Sequence, residues 1–373
     1  MAASYSMPVR IRFGEGVRSS LPELPCVKEA KCIALFIGSS SLKKSGHLAE
    51  ILGMLKGKDT EVYEGISAEP TLEELSENLD VLRRKPADCV VAVGGGSVLD
   101  LAKAVALFAP QKSDAVLLLK TILKDAVPIP VVAIPTTAGT GSEVSPFAVF
   151  WDKTEKKKHS LMHAGLFPAE ALVDPELTYS MPPAVTASAG MDAFTQACEA
   201  YWNRDHLPLS DDYALAAICR IRSALPKAVR NGDDKEARRE MMLGSLEAGL
   251  AFSNTRTAAC HSISYPMTAH FGVSHGQAVG ITLPQVLILN AGTMPERAGR
   301  FLESMNSDSM DDAADKIRKM MVESGLKTRL SELKIKKEDI DLIVKEGFTP
   351  ERMGNNPYVF NPESLKKLLL SIL

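Results

Sequence analysis

The sequence predicts an α/β fold: a doubly wound parallel-sheet domain over residues 1–181, followed by an all-α domain over residues 182–373. Three observations carry this. Short, wholly apolar runs alternate with helix-period stretches through the first half, and they stop after about Met181. Pro182-Pro183 stand at the change, where proline disfavours both helix continuation and a helical residue before it. At 373 residues the chain also exceeds what one ordinary core spans.

In chain order, residues 31–37, 60–63, 89–93 and 130–134 read as strands, and residues 47–55, 72–84 and 98–108 as the helices between them. Strands without polar alternation imply a parallel sheet covered on both faces, which binds ligands at the carboxyl ends of its strands. Beyond Met181, residues 184–202, 211–229 and 235–251 read as long helices. No internal repeat or low-complexity tract interrupts the chain, and the basic run at residues 153–158 reads as a solvated loop.

Hydrophobic residues make up 45% and charged residues 24%, the balance of a folded domain rather than a disordered one. A formal net charge of −3 creates no field for nucleic acid, and no apolar run reaches membrane-spanning length. The N-terminus lacks the basic start and apolar stretch of a secretion signal, so cytoplasm is the expected location. Cys26, Cys32, Cys89, Cys198, Cys219 and Cys260 form no Cys-x-x-Cys pair and read as reduced, packed thiols. A small-molecule ligand is expected, with no nucleic-acid or membrane partner.

Two polar loops follow strands. Gly94-Gly95-Gly96-Ser97 joins a buried strand to a helix start, so its amides and the helix dipole favour a phosphate, although a plain glycine-rich turn is the alternative. Thr136, Thr137 and Thr140, in the loop from Pro135 to Glu143, offer hydroxyls at the same sheet edge. In the second half, Asp192 and Gln196 are four apart and share a helix face, with His261 and His275 further on. A carboxylate and two imidazoles can hold a divalent transition metal, whereas a histidine taken singly is more often structural.

These motifs together resemble the iron-containing (group III) alcohol dehydrogenases, whose fold is dehydroquinate synthase-like. The resemblance runs from Phe13-Gly14-Glu15-Gly16 to Asn355-Asn356-Pro357. Its anchors are the run from Gly94 to Lys103, the Pro135–Glu143 loop, Gly190-Met191-Asp192-Ala193 and His275-Gly276. It implies an N-terminal dinucleotide-binding domain and an all-α metal and substrate domain. Gly94, Gly95, Gly96, Ser97 and Asp100 then belong to the cofactor loop, and Thr136, Thr137 and Thr140 lie at nicotinamide and ribose. Asp192, His261 and His275 match ligands of one iron or zinc ion. Gln196 stands where the family has a histidine, and an amide oxygen is a harder, weaker ligand, so affinity should fall or the preferred metal change. Tyr265 replaces a second histidine that lines the site and is the candidate proton donor.

A narrower resemblance, in residues 251–266 and 192–196, is to the phosphonoacetaldehyde reductase branch. It implies reduction of phosphonoacetaldehyde to 2-hydroxyethylphosphonate, with Arg256 as a candidate anchor for the phosphonate or simply a surface arginine. Lys158 aligns with a lysine that approaches the cofactor. Ser39 stands where relatives that prefer NAD carry aspartate, so NADPH is expected with NADH possible. The resemblance further implies a homodimer or larger homo-oligomer. The rival readings are a general short-chain alcohol dehydrogenase, a lyase of the dehydroquinate synthase type, and a dinucleotide-binding protein with a degenerate metal site.

Overall fold

The computed structural model describes residues 4–38, 41–111, 113–115, 117, 126–153 and 157–373. The chain divides into two compact units. One comprises Met7–Thr137 and Ser142–Ser180; the other comprises Met181–Leu373 with Ala138–Gly141 and the N-terminal residues up to Ser6.

The first unit is built on a six-stranded sheet in the order β1-β8-β5-β4-β2-β3, every neighbouring pair parallel. The strands are β1 (Arg10–Phe13), β2 (Cys32–Ile37), β3 (Asp59–Tyr63), β4 (Cys89–Gly94), β5 (Val131–Pro135) and β8 (Glu170–Val173). Alternate residues enter different cores: Ala34, Phe36, Val90 and Ala92 join one apolar cluster, while Ile33, Leu35, Val91 and Val93 join another. Both faces are thus dry, which is why these strands lack polar alternation. Chain order reverses between β2 and β4, and their carboxyl ends meet where the Gly38 N–H donates to the Val93 carbonyl. That reversal is the switch point at which such sheets bind ligands.

Four elements depart from the sequence reading. Strands β1 and β8 are only four residues long, too short to declare themselves by period. An antiparallel hairpin pairs β6 (Phe147–Asp152), whose apolar run from Phe147 to Trp151 the sequence reading passed over, with the lysine-bearing β7 (Lys157–Met162). Lys157 and Lys158 therefore lie on a strand, where a solvated loop was expected; cross-strand pairing with Trp151 overrides their composition.

The helix Gly96–Phe108 is buried nearly throughout, including Lys103, which has no exposed surface. Its ammonium donates to the carbonyls of Ser142 (2.9 Å), Ser145 (3.2 Å) and Phe147 (2.6 Å). Burial pushes its pKa down, against the opposing pull of Asp100 and Glu143. Lys103→Met would strand three carbonyls in the interior, a loss of roughly 3 kcal/mol or more. A urea melt should register it, and unchanged stability would show that water replaces the ammonium.

From Met181 onward the described residues form helices and turns without a strand. The helix Pro183–Trp202 packs against Pro208–Arg230 and Lys235–Thr255, and Met191, Phe194, Cys198, Tyr201 and Trp202 on it have no exposed surface. Among the described residues no helix is long and apolar enough to cross a membrane. All six cysteines are free thiols; Cys89, Cys198 and Cys260 are buried, but Cys219 is exposed, which corrects the expectation that all are packed.

Candidate functional site

A helix buried all round makes its polar residues conspicuous. On Pro183–Trp202, Thr195 is satisfied locally by the Met191 carbonyl, which leaves Asp192, Gln196 and Glu199 as a stripe with helical spacing. The helix Ala259–Phe271 brings His261 to that stripe, and the helix His275–Gly280 brings His275. The latter approach depends on Gly276: a Cβ there would stand 1.7 Å from the Ser188 carbonyl oxygen. Any other residue would push the second helix off and carry His275 away.

His261 Nε2 lies 3.2 Å from Asp192 Oδ1, and His275 Nε2 lies 3.7 Å from the same oxygen. The three ligand atoms fall within 4.8 Å of one another. Atoms bonded to one ion at about 2.0–2.2 Å stand roughly 3–4 Å apart, so the set fits a single divalent metal. Gln196 Oε1, one turn beyond Asp192, is buried without a hydrogen-bond partner, a cost that a cation would remove. Glu199 is fully buried behind His261. Its carboxylate accepts the Nδ1–H of His261 at 2.6 Å and the backbone N–H groups of Ala258 (2.8 Å) and Cys260 (2.6 Å). It thereby orients the ring with Nε2 on the side of Asp192 and ties down the start of Ala259–Phe271. Burial alone would lower the His261 pKa, but Glu199 and Asp192 outweigh it and the net direction is up, the mark of a negative pocket suited to a cation.

Tyr265 lies one turn past His261 on Ala259–Phe271. Burial holds its pKa at about 12, with Arg352 pulling down and Glu199 and Asp192 pushing up. Arg256 is exposed at the end of Lys235–Thr255, in a left-handed conformation with φ 67°. Its carbonyl accepts hydrogen bonds from the Asn203 amide and the Thr255 hydroxyl, both at 3.2 Å.

In the other unit, the glycine loop sits at the switch point. Gly95 caps the helix Gly96–Phe108 without a side-chain partner, leaving the first-turn amides of Gly96 and Ser97 for a ligand. Gly94 is demanded by packing, since a Cβ would meet Val98 at 2.5 Å. The Thr136 N–H donates to the Gly94 carbonyl at 3.0 Å, and Thr137 packs beside Gly95, so the two polar loops form one surface that fits a dinucleotide. Asp100 accepts hydrogen bonds from the Ser142 hydroxyl (2.5 Å) and the Val149 N–H (3.1 Å), and so steers that surface from beneath. Thr140 belongs to the helical unit, where neighbouring Gly139 and Gly141 pack closely on Ala189 and Gly249. Lys158 extends over the Trp151 ring at 5.9 Å. Ser39 lies outside the described residues.

Residues 8–175 match the iron-containing alcohol dehydrogenase family model, and residues 186–373 match the C-terminal model of the Fe-containing alcohol dehydrogenase family. The chain belongs to the iron-containing alcohol dehydrogenase family. It is an NAD(P)-linked, metal-dependent oxidoreductase of alcohols and aldehydes, which removes the lyase and non-catalytic readings. Among relatives, the NADPH-dependent butanol dehydrogenase of Clostridium saccharobutylicum is 32% identical over 98% of this chain and 96% of its own. The NAD-dependent methanol dehydrogenase of Bacillus methanolicus is 32% identical over 91% and 92%. The crystal structure of sulfoacetaldehyde reductase from Bifidobacterium kashiwanohense with NAD+ superposes with a TM-score of 0.92 at 31% identity, covering 100% of this chain and 99% of that one.

Glu199, Lys103 and Arg352 were not singled out from the sequence. Glu199 had a legible signal, being seven residues from Asp192 and continuing the polar stripe of Asp192 and Gln196 on a mostly apolar helix. Lys103 and Arg352 had none, because charged residues are ordinarily solvated.

Proposed function

We propose that this dehydrogenase reduces a small anionic aldehyde, phosphonoacetaldehyde, to its primary alcohol with NADPH. The observation that carries the aldehyde chemistry is the convergence of the buried Asp192 and His261 with the half-buried His275, beside the orphaned Gln196 oxygen on the same helix as Asp192. The relative that acts on sulfoacetaldehyde, another two-carbon aldehyde with an anionic head, supports the substrate class. Serine at position 39, where an aspartate would repel a 2′-phosphate, supports NADPH.

In this reading Asp192, Gln196, His261 and His275 hold iron or zinc. Gly94, Gly95, Gly96, Ser97, Thr136 and Thr137 hold the dinucleotide, with Asp100 bonded to the adjoining segments and Lys158 of the same unit as a further candidate. When bound, the divalent ion supplies Lewis-acid polarisation of a carbonyl oxygen and the nicotinamide supplies the hydride. Glu199 keeps His261 in the tautomer that presents Nε2. Tyr265, with its pKa near about 12, stays protonated at neutral pH and donates its phenolic proton to the nascent alkoxide. Tyr265→Phe should lower kcat by roughly 100-fold and abolish the solvent isotope effect on it; an unchanged rate would remove the tyrosine from the chemistry.

The reading is tested with metal-stripped enzyme, with and without added iron, zinc or manganese, assaying NADPH and NADH oxidation with phosphonoacetaldehyde and with propionaldehyde. Metal-restored turnover selective for phosphonoacetaldehyde supports it. Equal turnover of propionaldehyde favours a general short-chain dehydrogenase, the reading that the butanol and methanol dehydrogenase relatives support.

A further inference from the structure

The geometry points to Arg352 as the residue that selects an anionic aldehyde, its guanidinium binding the phosphonate or sulfonate head while the aldehyde end faces the Asp192–His261–His275 cluster. This rests on the anionic-substrate reading above and assigns it a residue. Arg352 is partly buried on the short helix Pro350–Met353, and its Cζ lies 5.2 Å from the centre of the Tyr265 ring. Tyr265 in turn follows His261 by one helical turn on Ala259–Phe271, so the guanidinium stands against the helix that carries one histidine of the ligand cluster.

The cation is also held in place. Arg352 Nη1 donates to the hydroxyl of Thr257, which is itself buried, and the Asn355 amide donates to the Thr257 carbonyl at 2.8 Å. Upstream, the Ser262 hydroxyl donates to the Gly347 carbonyl at 2.8 Å and accepts the Thr349 N–H at 3.0 Å, which fixes the segment carrying Arg352 against the helix bearing His261. A pre-positioned guanidinium resting on an aromatic face presents planar, forked N–H donors suited to the oxygens of a tetrahedral anion. Arg256, the arginine favoured by sequence spacing, is exposed and lies at the end of a different helix.

The test compares wild-type, Arg352→Met, Arg352→Lys and Arg256→Met, each metal-loaded, on phosphonoacetaldehyde, sulfoacetaldehyde and propionaldehyde. The readouts are the ratio of kcat/KM for anionic over neutral aldehyde and the inhibition constant of ethylphosphonate. Arg352→Met should reduce the ratio by roughly 10- to 100-fold and weaken ethylphosphonate comparably, as expected for a lost charged hydrogen bond. Arg352→Lys should fall between, and Arg256→Met should leave the ratio within about 2-fold of wild-type, the change expected of an exposed cation. A wild-type preference that survives Arg352→Met, or that disappears in Arg256→Met, overturns the assignment while leaving the anionic-substrate reading intact. A wild-type enzyme with no preference for the anionic aldehydes overturns that reading, and the assignment with it.

Discussion

Asp192→Ala is expected to yield a folded protein that retains less than about a thousandth of wild-type kcat/KM and carries no metal through gel filtration. Asp192 Oδ1 is the shared point of the cluster, 3.2 Å from one imidazole and 3.7 Å from the other, so its removal takes both a ligand and the negative charge that offsets the ion. Elemental analysis checks the metal, and near-wild-type dinucleotide affinity by fluorescence titration checks that the glycine loop is untouched. Gln196→His should move metal content in the opposite direction, raising affinity for zinc about 10-fold or more in chelator competition, because an imidazole is the stronger ligand for it. Tight metal binding in Asp192→Ala, or no gain in Gln196→His, would show that the ion sits elsewhere.

The second large effect is expected at Glu199. Glu199→Gln retains the shape but offers one acceptor oxygen in place of a charged pair, while His261 Nδ1 and the N–H groups of Ala258 and Cys260 all need acceptors. Metal affinity should fall by about 10- to 100-fold, as is usual when the partner behind a ligating histidine is altered. Thermal stability should fall as well, by roughly 2–4 kcal/mol, because at least two buried donors lose their charge-assisted bonds. Calorimetric melting of metal-free protein separates the two effects. A metal affinity that falls without loss of stability would mean the backbone amides find another acceptor, and a stability loss without a change in affinity would mean His261 does not ligate the ion.

The central strands and the glycine loop were legible because each is a local pattern, a run or a loop between a strand and a helix; Asp192 and Gln196 share a four-residue spacing, but His261 and His275 were joined to them by the family resemblance, and the structure groups both histidines with Asp192. Strands β1 and β8, four residues each, and the polar, lysine-bearing β7 were not, since so short or mixed a segment takes its conformation from the strand beside it; β6 carries an apolar run, Phe147 to Trp151, that was passed over. Arg256 illustrates the limit of spacing arguments. It stands five residues before His261, yet it is exposed, just past the end of Lys235–Thr255 at φ 67°, whereas Arg352, far along the chain, is partly buried over the Tyr265 ring.

By itself the sequence determined the order of α/β and all-α portions, the loop chemistry, and which residues were able to ligate a metal, because these follow from hydrophobic period and side-chain type. Only the tertiary structure decided that Glu199 stands behind His261, that Lys103 is fully buried among the carbonyls of Ser142, Ser145 and Phe147, and that Arg352 rather than Arg256 rests on Tyr265. Each of these joins residues far apart in the chain, 62 between His261 and Glu199 alone. The partner that satisfies a buried charge is chosen by packing, which no local pattern encodes.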